Sequence, residues 1–412
     1  SPPLYTMLLA AASWIGMSLE TAAKLVGILC YAASAGLVAL IAGRLAGPVG
    51  AALAPLFLVA SADYRLQALS GLEAGFAAVL GLIAIALMLE GLEGWSGIAL
   101  GLALLDKLDA GMLAVAVVVA FLLIMRKVPW RTIGCAAAVL APWLVFSLVY
   151  FGSVLPYSMT QKVGGTVASP DAPWDRSWIV DMLRTDGSTL VAVLALASLA
   201  AVPVLARSSR HRAVALAACV AWPLAHAVVF SVIDLGDQYP WYRTVLYPPM
   251  AIAAATILAL VVQATSGAAR PVTIALVVAT AVAAVGLTSD RFGGIGQAIR
   301  KVAHGHTVDD YEAFEATRRD AGVYLGTVAR EHDVIETCFG WIAYGALDNP
   351  IKETCPLSTR DPVAPPRWSV DTSFPGIVEP TVPPGAEVAR TFVSTAGAGG
   401  QTTVIRLARR AR

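Results

Sequence analysis

The chain has 412 residues, of which 57% are hydrophobic and 14% charged, with a formal net charge of +1. Soluble domains run about 45–50% apolar and about 25% charged, so disorder, a collagen-like chain, a disulfide-rich secreted module and a single cytosolic domain are excluded. The near-zero net charge argues against a nucleic-acid partner.

Charge is distributed unevenly. Residues 290–412 hold 29 of the 57 charged residues, 14 basic and 15 acidic. This predicts a membrane domain over 1–289 followed by a water-soluble domain over 290–412. The chain opens on Ser1, and Ser1-Pro2-Pro3-Leu4-Tyr5 reads as an internal loop, with no charged n-region or cleavage site before it. The expectation is a chain whose beginning is missing.

A short amphipathic helix is predicted over about 3–16. Apolar runs then fall near 19–43, 48–60, 74–92, 95–106, 109–125, 132–151, 188–206, 213–233, 245–264 and 271–288. Against a need of about 20 residues per span, these predict about ten transmembrane helices. With Ser1 outside, the cytoplasmic turns carry Arg44, then Glu90 and Glu93, then Arg126, Lys127 and Arg131, then Arg207, Arg210 and Arg212, then Arg270. Only the Glu90/Glu93 turn lacks a base, so the positive-inside rule places the C-terminal domain outside the cytoplasm.

The outer loops hold Asp63 and Arg65, Glu73, the run Asp106-Lys107-Leu108-Asp109, Lys162, and the segments 171–186 and 234–243. A lone loop charge reads first as a hydrated rim. The run at 106–109 differs, because it splits an apolar stretch from Gly97 to Met125. Charges at membrane depth face a cavity or a partner, and here function outweighs the rim reading.

In the soluble tail, Tyr311, Phe314, Ala321, Tyr324, Leu325 and Val328 have helical spacing over 310–332. Val334-Ile335 and Phe339–Trp341 read as strands, a Pro-rich stretch spans 350–384, and 388–395 with 402–407 form a predicted hairpin around Gly397–Gly400. Cys30, Cys135 and Cys219 lie within spans as small buried thiols. Cys338 and Cys355 lie in the exported domain, where disulfides persist, and are expected to pair.

His304 and His306 lack companions with ligand spacing, so no metal site is predicted. No phosphate loop, nucleophile elbow or zinc-protease motif occurs, which leaves ATP-driven transport without support. Gly293-Gly294-Ile295-Gly296 reads as a hinge between the two domains. The predicted fold class is a polytopic α-helical membrane protein of about ten spans plus a juxtamembrane helix, with a small extracytoplasmic α/β domain.

Five segments, in order, resemble the GT-C glycosyltransferases, in particular their bacterial mannosyl- and arabinofuranosyltransferase-like members. Pro2-Pro3-Leu4-Tyr5 is similar to their Pro-Pro-Leu-Tyr helix start, and Ser70-Gly71-Leu72-Glu73 to their Ser-Gly-Leu-Glu-Thr motif. Leu105–Gly111 stands where the family has Leu-Thr-Arg-Pro-Asp/Glu-Gly, with Lys107-Leu108 in place of Arg/Thr-Pro. Tyr150-Phe151-Gly152-Ser153-Val154-Leu155-Pro156 through Lys162 resembles a family loop, with Tyr157 where that loop has Asn. Tyr242-Arg243 before Pro248-Pro249 resembles the family's Arg-x-x-x-Pro-x-x-Pro.

The resemblance covers about residues 1–265. It implies an inverting transferase that moves a sugar from a polyprenyl-phosphate to a glycan, lipid or protein acceptor outside the cytosol, in a bacterial plasma membrane. The catalytic acid of such enzymes lies in a first outer loop, which the resemblance puts before Ser1. Lys107 and Arg243, with Lys162 and Arg65, are the implied ligands of the donor phosphate. Lys107 and Arg243 are expected to share one pocket, both beside water. Asp109, Glu73, Asp106 and Asp63 are the acids available to orient cations or bind sugar hydroxyls. Glu73 equally reads as a helix N-terminal charge, and Asp109 as an ion-pair partner of Lys107. The resemblance fixes no cofactor and leaves a divalent cation open. Trp174, Trp178, Tyr239, Trp241 and Tyr242 suit the membrane interface better than sugar stacking. A flippase for lipid-linked sugars and a non-catalytic envelope assembly factor are the competing readings.

Overall fold

Ser18 starts the first long helix by accepting a hydrogen bond from the Thr21 backbone N–H at 3.2 Å, with Glu20 in the first turn. In this computed structural model that helix, α2 (Leu19–Ala60), follows a short α1 (Pro3–Trp14). The structure describes residues 3–154, 188–233, 240–267, 269–290, 310–329, 335–337, 351–353, 368–372, 386–396 and 401–410. The chain divides into two compact units, Ser1–Gln297 and Ala298–Arg412.

The two expected spans 19–43 and 48–60 are one rod broken at Ala46–Gly47, where Gly47 has φ 73° and Pro48 follows. Pro48 lacks the N–H that would reach the Arg44 carbonyl, four residues back. At the break itself, the Gln263 side-chain amide donates to the Ala46 carbonyl at 2.5 Å.

The first unit continues with α3 (Ala62–Leu69), α4 (Glu73–Leu89), α5 (Glu93–Asp106), a 3-10 turn (Leu108–Ala110), α6 (Gly111–Met125) and α7 (Trp130–Phe151). Next come α8 (Ser188–Ala197), a 3-10 turn (Ser198–Ala201), α9 (Val202–Ser208), α10 (Arg210–Ile233), a 3-10 helix (Pro240–Leu246), α11 (Tyr247–Ala264) and α12 (Ala269–Asp290). Among the described residues, six helical stretches are long and apolar enough to cross a membrane, and 73–89 and 269–283 are shorter apolar helices. Helix α3 was not anticipated; it turns the expected Asp63/Arg65 loop into two helical turns, capped by the Ser61 side chain.

Small residues set the packing, since helices in lipid associate by close backbone approach. Gly97 and Gly101 let α5 lie against Thr132, Ala136 and Val139 of α7. A Cβ on Gly81 of α4 would come within 2.8 Å of the Trp222 ring. Alanine-rich α11 is buried along nearly its whole length at the bundle centre, whereas α7 keeps most of its surface outward.

At one end of the unit Arg44 pairs with Glu90 at 3.0 Å and Lys127 with Glu93 at 3.8 Å. The base-free turn is thus neutralised by turns assigned to the same side.

The second unit has α13 (Asp310–Val328) and five strands: β1 (Ile335–Thr337), β2 (Ile351–Glu353), β3 (Trp368–Thr372), β4 (Ala386–Ala396) and β5 (Gln401–Arg410). Their order is β2-β1-β3-β5-β4, with β1 parallel to both neighbours and β5 antiparallel to β3 and β4. Ala321 and Leu325 of α13 pack on Ile405 and Leu407 of β5. The hairpin pairs Ala396 with Gln401. Strands β2 and β3 lie within the Pro-rich stretch 350–384, where no strand was anticipated because so few residues between prolines show no periodicity. Cys338, Cys355, His304, His306, the strand expected at 339–341 and the hinge at 293–296 lie outside the described residues.

Candidate functional site

The break between α5 and α6 is where the chain places its buried charges. Helix α5 ends at Lys107, whose backbone is extended (φ −148°, ψ 120°) and whose N–H still bonds the Ala103 carbonyl. A 3-10 turn then restarts the rod, so Asp106, Lys107 and Asp109 project from consecutive irregular positions rather than one helical face.

The Lys107 ammonium stands 3.5 Å from Asp109 Oδ2 and 3.7 Å from Glu73 Oε1. It also lies 4.0 Å from the centroid of the Tyr242 ring, a cation–π contact. The residue is 8% exposed and Asp106 only 1%. The expectation that Lys107 stands beside water is therefore corrected: the helix break buries it. Burial alone would favour the neutral amine, but Asp109 and Glu73 outweigh it and hold the Lys107 pKa above the ordinary lysine value.

Glu73 reaches this place as the first residue of α4, where the helix dipole favours an acid. Its place at the helix start agrees with the dipole reading, and its carboxylate faces Lys107. Asp109 is likewise an ion-pair partner of Lys107.

From the far half of the unit, the 3-10 helix Pro240–Leu246 delivers Tyr242 and the half-buried Arg243, and Pro248 and Pro249 start α11 in the first-turn positions that tolerate proline. The Tyr242 ring packs on Phe230 at 4.7 Å, and Phe230 stacks on His226 at 4.3 Å with planes 8° apart. With Lys107 and Phe230 both against it, Tyr242 is structural packing for the cation rather than an open sugar-stacking platform.

Beneath α3, Tyr64 is fully buried, 5.9 Å from Tyr31 and 6.2 Å from Tyr247 by ring centroids. Arg65 is exposed on α3. The side chains of Asp63 and Trp241, together with Lys162, Trp174, Trp178 and Tyr239, lie outside the described residues.

Sequence analysis brings forward no role for His226 or Tyr5. His226, 1% exposed, has the usual signal of an ionisable residue inside an apolar span. Tyr5 stands within a quoted motif, but its partner is 66 residues away and no local pattern reveals it. Among the described residues, no three His, Cys, Asp or Glu converge to hold a metal.

No protein-family model matches the sequence, and no curated protein sequence matches it. Solved structures do. ArnT from Cupriavidus metallidurans, bound to undecaprenyl phosphate, superposes with a TM-score of 0.57 at 14% identity, over 98% of this chain and 87% of that one. An oligosaccharyltransferase from Archaeoglobus fulgidus, in complex with zinc and sulfate, gives a TM-score of 0.52 at 12% identity, over 85% of this chain and 53% of that one.

The fold is the GT-C fold. The chain is a multi-pass membrane protein, and in its GT-C fold three of the segments that carried the resemblance meet around Lys107: the α3–α4 turn, the α5–α6 break and the 3-10 helix before α11.

Proposed function

We propose that this protein is an inverting glycosyltransferase that takes a sugar from a polyprenyl-phosphate and passes it to a hydroxyl of a glycan, lipid or protein acceptor on the extracytoplasmic face of a bacterial plasma membrane. The observation that carries this reading is a buried, paired lysine at the broken corner of a fold shared with a protein bound to undecaprenyl phosphate. Residues 1–289, with about ten spans, form the membrane domain, and 290–412 the extracytoplasmic α/β domain.

In such a transfer, the bond from the sugar's anomeric carbon to the carrier phosphate breaks while the acceptor oxygen attacks from the opposite face. Negative charge grows on the leaving phosphate. Lys107 and Arg243 are the cations that offset it, in a low-dielectric place where fixed charge is worth most. Lys162 and Arg65 are further cations of the same outer side. Glu73 and Asp109 keep Lys107 charged and aimed, with Asp106 behind them and Asp63 on the rim. A carboxylate acting as general base takes the proton of the acceptor hydroxyl.

A flippase draws support from the same break, since discontinuous helices mark transporter sites. The two readings part on covalent product. Full-length protein in nanodiscs, given radiolabelled polyprenyl-phosphate sugars and envelope lipid extract, should release free polyprenyl-phosphate and a labelled acceptor. Lipid-linked sugar that changes leaflet without losing its sugar would refute transferase activity.

A further inference from the structure

Two of the resembling segments are joined by a single hydrogen bond. The Tyr5 phenol donates to the Gly71 carbonyl at 2.5 Å, and Tyr5 is only 6% exposed. Burial first, and then the Glu73 carboxylate, raise the Tyr5 pKa, so the phenol keeps its proton and remains a donor.

Gly71 needs this treatment. Its φ is +80°, and a Cβ there would meet Ala23 of α2 at 3.1 Å, so the α3–α4 turn lies close against α2. Two residues later α4 begins at Glu73, whose carboxylate faces Lys107. The start of α1 is held in place by more than the phenol. Leu4 packs on the small cluster of Leu80, Ala103 and Ala110, and the Tyr5 ring lies 6.4 Å from Phe76.

We infer that Tyr5 is a positioning residue: through the Gly71 carbonyl it sets where Glu73 stands and thereby holds the Glu73–Lys107 pair. As a role in glycosyl transfer this rests on the reading above; the pairing itself does not.

Acylation by a small N-hydroxysuccinimide ester reads the pair directly, because only the neutral, accessible amine reacts. The full chain in nanodiscs is labelled as wild type, Tyr5→Phe and Glu73→Gln, and each lysine is followed by peptide mass spectrometry. Tyr5→Phe keeps the ring and its packing and removes only the donor. Lys107 should react about three- to tenfold faster in both variants, the size expected for losing one buried hydrogen bond. Lys24 and Lys127, both largely exposed in their own ion pairs, should keep their wild-type rates.

An unchanged Lys107 rate in Tyr5→Phe overturns the inference, whatever Glu73→Gln does. A rise at all three lysines also overturns it, since that marks a loosened fold. In the transfer assay, run well below the thermal midpoint of each variant, Tyr5→Phe should lower kcat, and Tyr5→Trp should not rescue it. Absence of transfer in the wild type, with the labelling result intact, would sink the proposed function and leave the positioning role standing.

Discussion

The Lys107 ammonium rests 4.0 Å from the centre of the Tyr242 ring, while Phe230 packs against the same ring at 4.7 Å. This relationship ties the α5–α6 break to the 3-10 helix that carries Arg243. A buried lysine that kept one helix end in register would need only its carboxylates. The added aromatic contact fixes the cation's direction as well as its charge.

Replacing Lys107 therefore has two consequences. Lys107→Ala should lower turnover about 10²–10³-fold, as loss of one preorganised donor does. It should also destabilise the membrane unit by about 3–5 kcal/mol, because Glu73 and Asp109 lose the partner that their burial requires. Lys107→Arg keeps the charge and should restore most of the stability. Thermal denaturation in detergent and transfer kinetics, measured on both variants, check the two effects separately; full turnover in Lys107→Ala would remove this residue from the site.

The break in α2 offers a test of packing far from the charges. Gln263→Leu removes the donor to the Ala46 carbonyl and leaves that buried acceptor unpaired. A cost of about 1–3 kcal/mol is expected. Gln263→Glu, which offers no donor when ionised, should be at least as damaging. A thermal midpoint equal to wild type in both would mean that the Ala46–Gly47 break is stable without Gln263.

Sidedness follows from the basic turns. Impermeant maleimide added outside intact cells should label a cysteine placed near residue 380 and spare one at 209, because Arg207–Arg212 is assigned to the cytoplasm. The contacts Arg44–Glu90 and Lys127–Glu93 demand that those turns be labelled alike. The inverse pattern would reverse the orientation of every span.

Cys338 and Cys355 provide a redox test. A non-reducing digest should contain the peptides of Cys338 and Cys355 joined, and Cys338→Ser should cost the C-terminal domain about 2–4 kcal/mol, the range for a short closed loop. Both thiols alkylating freely in oxidised protein would end this assignment.

Long apolar runs were legible without coordinates, because a span must be apolar over about 20 residues whatever surrounds it. So were the α4, α6, α7, α10 and α11 spans, the helix over 310–328 and the hairpin of β4 and β5, where periodicity and turn residues act locally. The charged run at 106–109 stood out for the same reason: ionisable groups inside an apolar stretch are costly unless something compensates them. Asp109 and Glu73 were legible as acids available to Lys107, but the distances and the aromatic contact that complete its surroundings were not. Glu73 and Tyr242 reach Lys107 from two other elements, the His226–Phe230 stack packs on Tyr242, and Tyr5 reaches Gly71 from 66 residues away. Each of those contacts depends on how helices cross, which is set by close approach at Gly81, Gly97 and Gly101 and by the break at Gly47. A sequence states which residues need partners; only the packed helices decide who the partners are, because burial and distance, not spacing along the chain, determine the strength of a charge.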